Sequence, residues 1–162
     1  MKTVCFTGRR PQKLPWGYNE ADERCINLKK TLRLKIEKLI ECGATHFISG
    51  MALGVDMWAA QIVIEKKKAG YPVTLEAAVP HKQQAAKWSP YHKALYNAIL
   101  RECDKITVIS EKYTFSCMMD RNCYMVDKSD HVIAVLDDLT GGTGKTVQYA
   151  RSKGKDIDII KL

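Results

Sequence analysis

Long apolar runs are missing from this sequence. None approaches the ~20 residues that a membrane-spanning helix needs, which excludes a helical membrane anchor. The N-terminal stretch Met1-Lys2-Thr3-Val4-Cys5-Phe6-Thr7 turns polar too soon for a secretory signal. The expected location is the cytoplasm, with no membrane partner. The six cysteines form no C-x-x-C pair and no zinc-ligand spacing, so no metal site is expected. In a cytosolic chain they read as small buried hydrophobes. Aromatics are few (8%) and are not interleaved with basic residues in the stripe that stacks single-stranded bases. Acidic side chains are also in short supply, 18 against 26 Lys and Arg, leaving a formal net charge of +8.

What is present describes an ordinary globular chain. Hydrophobic residues make up 46% and charged residues 27% of 162 positions, which suits one domain over residues 1–162. The positive balance admits a polyanionic partner, a small anionic ligand, or a solvated lysine-rich surface such as Lys66-Lys67-Lys68.

The sequence is organised around Ser49-Gly50-Met51-Ala52-Leu53-Gly54-Val55-Asp56. An apolar run from Thr45 to Ile48 leads in and a helical pattern from Val55 to Lys68 leads out. A strand, a glycine-bearing turn and a helix present free backbone N–H groups at a positive helix end, a natural place for a phosphate. The same order recurs along the chain. Strands are expected at Val4–Phe6, Pro72–Val79 (closed by Pro80), Ile106–Ile109, His131–Leu136 and Ile157–Ile160. Helices are expected over 19–42 with Asn19 as N-cap, from Ser89-Pro90 onward, over 115–127, and from the Gly141–Thr146 loop to Lys153. Regular alternation predicts an α/β fold, a single Rossmann-like domain with a mostly parallel sheet and helices on both faces.

Ligands of such sheets bind beyond the carboxyl ends of the strands. Four segments fall there. Thr7, Gly8, Arg9 and Arg10 follow the first strand, and paired arginines suit a phosphate or carboxylate. Ser49, Gly50, Met51, Gly54 and Asp56 form the second, with Asp56 either bonding a ribose hydroxyl or complementing the helix dipole. Arg121 and Asn122 are the third. Gly141, Gly142, Thr143, Gly144 and Thr146 are the fourth. The last ends in Gly-Lys-Thr but is not a Walker A loop, because Leu139 stands where its first glycine belongs; nor does the second segment read G-x-G-x-x-G.

Thr7-Gly8-Arg9-Arg10-Pro11, the Ser49–Asp56 stretch, Arg121-Asn122 with Met125-Val126-Asp127, Ser129-Asp130 and Gly141-Gly142-Thr143 together resemble the YpsA-like branch of the SLOG superfamily. That superfamily groups the DprA and Smf proteins with the Lonely Guy phosphoribohydrolases. The resemblance covers nearly the whole chain and implies a fold that binds nucleotides or nucleotide-derived ligands. In Lonely Guy enzymes an arginine and the glutamate of P-G-G-x-G-T-x-x-E carry N-glycosidic hydrolysis. Here Arg121 matches the arginine, but Thr140 replaces the proline, Lys145 the threonine and Gln148 the glutamate. Gln148 cannot act as a general base, though it can hydrogen-bond a ribose. The expectation is therefore a module that binds a nucleotide-type small molecule without catalysis. A phosphoribohydrolase using another carboxylate and a DprA-like binder of single-stranded DNA are the alternatives. The resemblance also brings a homodimer into view.

Overall fold

Each of the six apolar runs becomes a strand. The computed structural model describes residues 2–162. In order, the chain forms β1 (Lys2–Gly8), a short 3-10 turn (Pro11–Lys13), α1 (Glu23–Glu41), β2 (Ala44–Ser49), α2 (Val55–Lys68) and β3 (Thr74–His81). It continues through α3 (Pro90–Glu102), β4 (Lys105–Ser110), α4 (Cys117–Lys128), β5 (His131–Leu136), α5 (Gly141–Ser152) and β6 (Asp156–Lys161). The strands make one parallel sheet in the order β4-β3-β2-β1-β5-β6. It is a Rossmann-like α/β fold.

The inner strands β1, β2, β3 and β5 are apolar on both sides because both faces are covered there, whereas the edge strands β4 and β6 stay largely exposed. On one face Val4, Phe6, Phe47 and Leu75 pack with Leu32 and Ile36 of α1 and with Ala59, Ile62 and Val63 of α2. Phe6 and Phe47 stack with ring centres 6.1 Å apart. On the other face Cys5, Ile48 and Val132 pack with Met125 and Val126 of α4 and Ala150 of α5. A carboxylate of the sheet itself is buried between these layers. Glu76, 3% exposed, accepts from Tyr124 and Thr107 (2.8 Å) and pairs with His46 (2.8 Å), which ties α4 to three strands. Burial pushes its carboxyl up, but these hydrogen bonds outweigh that and hold it below its ordinary value.

Several boundaries differ from the sequence expectation. The first helix starts at Glu23 rather than Asn19, because Asp22 caps it, accepting from the Arg24 amide at 2.9 Å. Asn19 spends its side chain on the Ala21 amide in the preceding turn. The third strand runs through Pro80 to His81. Its pairing with β2 ends at Ala77, so beyond that point the flank facing β2 is open and tolerates a missing N–H. The helix expected over 115–127 is Cys117–Lys128. Gly141 is already helical, so Gly141–Thr146 is the opening of α5 rather than a loop before it. Among the cysteines Cys5, Cys25 and Cys117 are buried, whereas Cys42 is exposed.

Strand order reverses between β1 and β5. Each next strand from β1 to β4 adds on one side; β5 and β6 add on the other. The chain segments leaving β1 and β5 therefore diverge, and a crevice opens between them.

Candidate functional site

A cavity of about 330 Å³ lies at that reversal. This is within the range of small-molecule sites, roughly 300–1,000 Å³. The end of β1 supplies Phe6, Thr7 and Gly8, and the following turn supplies Arg9, Arg10, Gln12 and Lys13. Ala52 comes from the β2–α2 connection and Asp56 from the first turn of α2, Arg121 and Asn122 from α4, and Gly141, Gly142 and Thr143 from the start of α5.

The start of α5 carries bare amides. Thr140 precedes the helix in an extended conformation, but its hydroxyl does not cap it; it donates instead to Asp138. Among the described residues no acceptor meets the amides of Gly141, Gly142 or Thr143. These N–H groups and the positive end of the helix face the cavity, and only an anion or water completes them.

Arg121 and Asp56 line the cavity from opposite faces of the sheet. Arg121 is 4% exposed; its Nη1 donates to the Gly50 carbonyl and its Nε to Asn122 Oδ1 at 2.8 Å. Of its five N–H groups, two are taken by these oxygens. Burial pulls its pKa down, opposed chiefly by the Asp56 charge, but a guanidinium remains cationic. Asp56 is 7% exposed, and its Oδ2 accepts from the Ala52 amide at 3.3 Å. Among the described residues its Oδ1 has no donor. Burial pushes the Asp56 carboxyl up; Arg121, the Ala52 amide and Arg10 oppose that push. Gly50 sits between the two side chains. A methyl group there would come within 2.7 Å of Arg121 Nη1 and 2.8 Å of Asp56 Oδ2, so only glycine lets the pair close over the end of β2.

The two adjacent arginines do different things. Arg9 is buried, bonding Asp137 Oδ1 (3.1 Å), Asp138 Oδ1 (2.9 Å), the Asp138 carbonyl (2.8 Å) and the Thr140 carbonyl (2.6 Å). It pins the connection from β5 to α5 and so aims the bare amides. Arg10 is exposed at the rim and touches the Met118 sulfur at 3.8 Å. Among the described residues neither Arg10 nor Lys13 has a carboxylate partner.

Seven of the residues singled out in sequence lie behind the lining or away from it. Ser49 is fully buried, its hydroxyl donating to the Asp56 carbonyl (2.8 Å) and accepting from the Met51 amide (3.2 Å). Met51 is in the core with φ of 61°, a left-handed turn forced by the tight link from β2 to α2. Gly50 and Gly54 shape that link without lining the cavity. Gly144 and Thr146 face inward, and the Thr146 hydroxyl donates to the Gly142 carbonyl at 2.8 Å. Gln148 is exposed on the outer side of α5. The helical turn explains the division: the first three residues of α5 reach the crevice, and later ones rotate onto the sheet or into solvent. Sequence reasoning missed Gln12 and Lys13. Pro11, which opens the 3-10 turn that directs them, was the available signal.

Comparison with known proteins agrees with this architecture. The family model described as the YspA SLOG family (YpsA) matches residues 4–162. A UPF0398 protein of Bacillus thuringiensis (strain Al Hakam) and one of Bacillus cereus (strain AH187) are each 31% identical over 161 residues, covering 98% of this chain and 86% of theirs. DNA processing protein A of Helicobacter pylori, in a structure describing its single-stranded DNA binding mode, superposes with a TM-score of 0.66 at 20% identity. The match covers 99% of this chain and 66% of that one, so this chain spans just under two thirds of its length.

Proposed function

The chain belongs to the YspA SLOG family, and from that premise we propose that its crevice binds a nucleotide or nucleotide-derived ligand. One observation carries the reading: bare helix amides and a buried carboxylate with a free oxygen line one cavity. The amides and Arg121 suit a phosphate; Asp56 Oδ1 suits sugar hydroxyls. A phosphorylated sugar presents both. A bare anion would leave Asp56 unsatisfied, and a neutral sugar would leave the amides so.

The reading is binding rather than turnover. Position 148 is a glutamine, and its side chain is exposed on the outer side of α5. The test is thermal denaturation with ADP-ribose, NAD, AMP, ribose 5-phosphate and inorganic phosphate. A ligand that binds only the folded chain stabilises it by RT ln(1 + [L]/Kd), about 2.7 kcal/mol at a hundredfold excess over Kd. Sugar phosphates and nucleotides are expected to raise the melting temperature, and phosphate alone much less. Equal shifts with phosphate alone would reduce the crevice to an anion site.

A second reading, single-stranded nucleic acid, has its own support. Arg10 and Lys13 stand without acidic partners at the rim, the net charge is +8, and the Helicobacter pylori protein of the same fold is described as binding single-stranded DNA.

A further inference from the structure

We infer that a side groove running from the crevice to Trp88 holds the planar ring of a nucleobase. This rests on the crevice reading above and adds what selects the ligand. The groove, about 70 Å³, shares Arg10, Gln12 and Ala52 with the main cavity, so a ligand anchored at α5 can reach it. Its far wall is Leu53, Gln84, Trp88 and Met118. Beyond the shared Arg10 this wall carries no charge and is the aromatic, sulfur and amide part of a surface otherwise built for anions.

Each far-wall group suits a flat heteroaromatic ring. Trp88 is half-buried and braced edge-to-face against Tyr96, with centroids 5.2 Å apart at 86°. That contact fixes the indole orientation and leaves ring surface for stacking, which is sequence-tolerant and strong for every base. Met118 supplies a polarizable, adaptable wall. Gln84 is held at both ends of its amide: Nε2 donates to the Gly50 carbonyl at 3.2 Å and Oε1 accepts from the Tyr96 hydroxyl at 3.2 Å. One N–H and one lone pair remain, a donor beside an acceptor in fixed orientation, as a base edge requires. Gly50 is thus the meeting point of the two subsites, since its carbonyl also accepts from Arg121.

The probes are AMP and ribose 5-phosphate, which share the sugar phosphate and differ in carrying adenine or a hydroxyl at C1, titrated calorimetrically against the full chain. The unaltered protein is expected to bind AMP at least ~10-fold tighter than ribose 5-phosphate, a typical stacking gain. Trp88→Leu should erase that preference while leaving ribose 5-phosphate affinity unchanged, and Trp88→Phe should retain most of it. AMP but not ribose 5-phosphate should also quench indole emission of the unaltered protein, a readout that survives if Trp88→Leu misfolds. Equal affinities for the two probes, or a Trp88→Leu chain that keeps its AMP preference, would overturn the groove and leave the crevice reading standing. No binding of either probe would overturn both.

Discussion

Arg121 belongs both to the core and to the crevice. A side chain this buried is held by what it bonds, and its bond to the Gly50 carbonyl joins α4 to the end of β2. Arg121→Ala therefore has two expected effects. Losing a charge-assisted contact, worth about 1.5–3 kcal/mol, lowers nucleotide affinity roughly 10- to 150-fold. Leaving the Gly50 carbonyl without its donor costs a further ~1–3 kcal/mol of stability, seen as a lower melting temperature. A variant that binds and melts like the parent would remove Arg121 from the site. Asp56 makes a prediction with a definite sign. Its folded pKa lies above the ordinary carboxylate value, so the folded state holds the proton more tightly than the unfolded chain. The stability this contributes is present at low pH and is lost as pH rises through the folded pKa. Asp56→Asn removes the titration. Melting temperatures of the two proteins across acid to neutral pH should converge at the acid end and separate above it, with the parent losing ground. A difference independent of pH would contradict the assignment.

At the scale of elements, two glycines that look alike in sequence part company. A Cβ on Gly50 collides with Arg121 and Asp56, whereas one on Gly142 meets no atom within 4 Å. Gly50→Val should destabilise the fold as well as the site. Gly142→Asp should do the reverse: an acidic residue in the first turn adds about 0.3–1 kcal/mol, while aspartate and glycine differ little in helix propensity. Its carboxylate would meanwhile occupy the anion position. The expected result is an equal or higher melting temperature with at least ~10-fold weaker nucleotide binding; unimpaired binding would show that α5 does not hold the phosphate. This contrast also marks how far the sequence can be read. Apolar runs such as His131–Leu136 and the stripe Leu28, Leu32, Ile36, Leu39 identify elements because burial on a periodic face requires them. The glycine clusters point to strand-to-helix turns. Which amide faces out and which Cβ would clash depends on helical phase and on neighbours distant in sequence. Gly50 and Arg121 are 71 residues apart, and no local pattern reveals their contact. Arg9 and Arg10 differ for the same reason: Asp137 and Asp138, which commit Arg9 to the fold, lie 128 and 129 residues away.

For the whole molecule, alternation of strands and helices predicts a parallel sheet but leaves open which strand crosses to the far side of β1. That choice decides where the crevice opens, and packing of both faces fixes it. The net charge of +8 is likewise visible in sequence while its placement is not. Among the described residues nine ion pairs spend lysines and arginines on the surface away from the crevice, such as Arg33–Glu65 and Lys67–Asp104. What remains at the crevice is Arg10 and Lys13 at the rim and Arg121 within. Three cations suffice for the phosphates of one nucleotide but make a short path for a strand. Salt separates these cases. A single strand neutralised at three or more phosphates loses affinity with a slope of about −2 or steeper in log K against log salt. A mononucleotide sheds no condensed counterions and gives a shallower line. Titrating AMP and a short oligothymidine from about 0.05 to 0.3 M salt should leave AMP binding weakly salt-dependent and oligothymidine the weaker ligand throughout. The opposite ranking with a steep slope would mean that the crevice is one station on a longer nucleic-acid path, with Arg10 and Lys13 as its visible entrance.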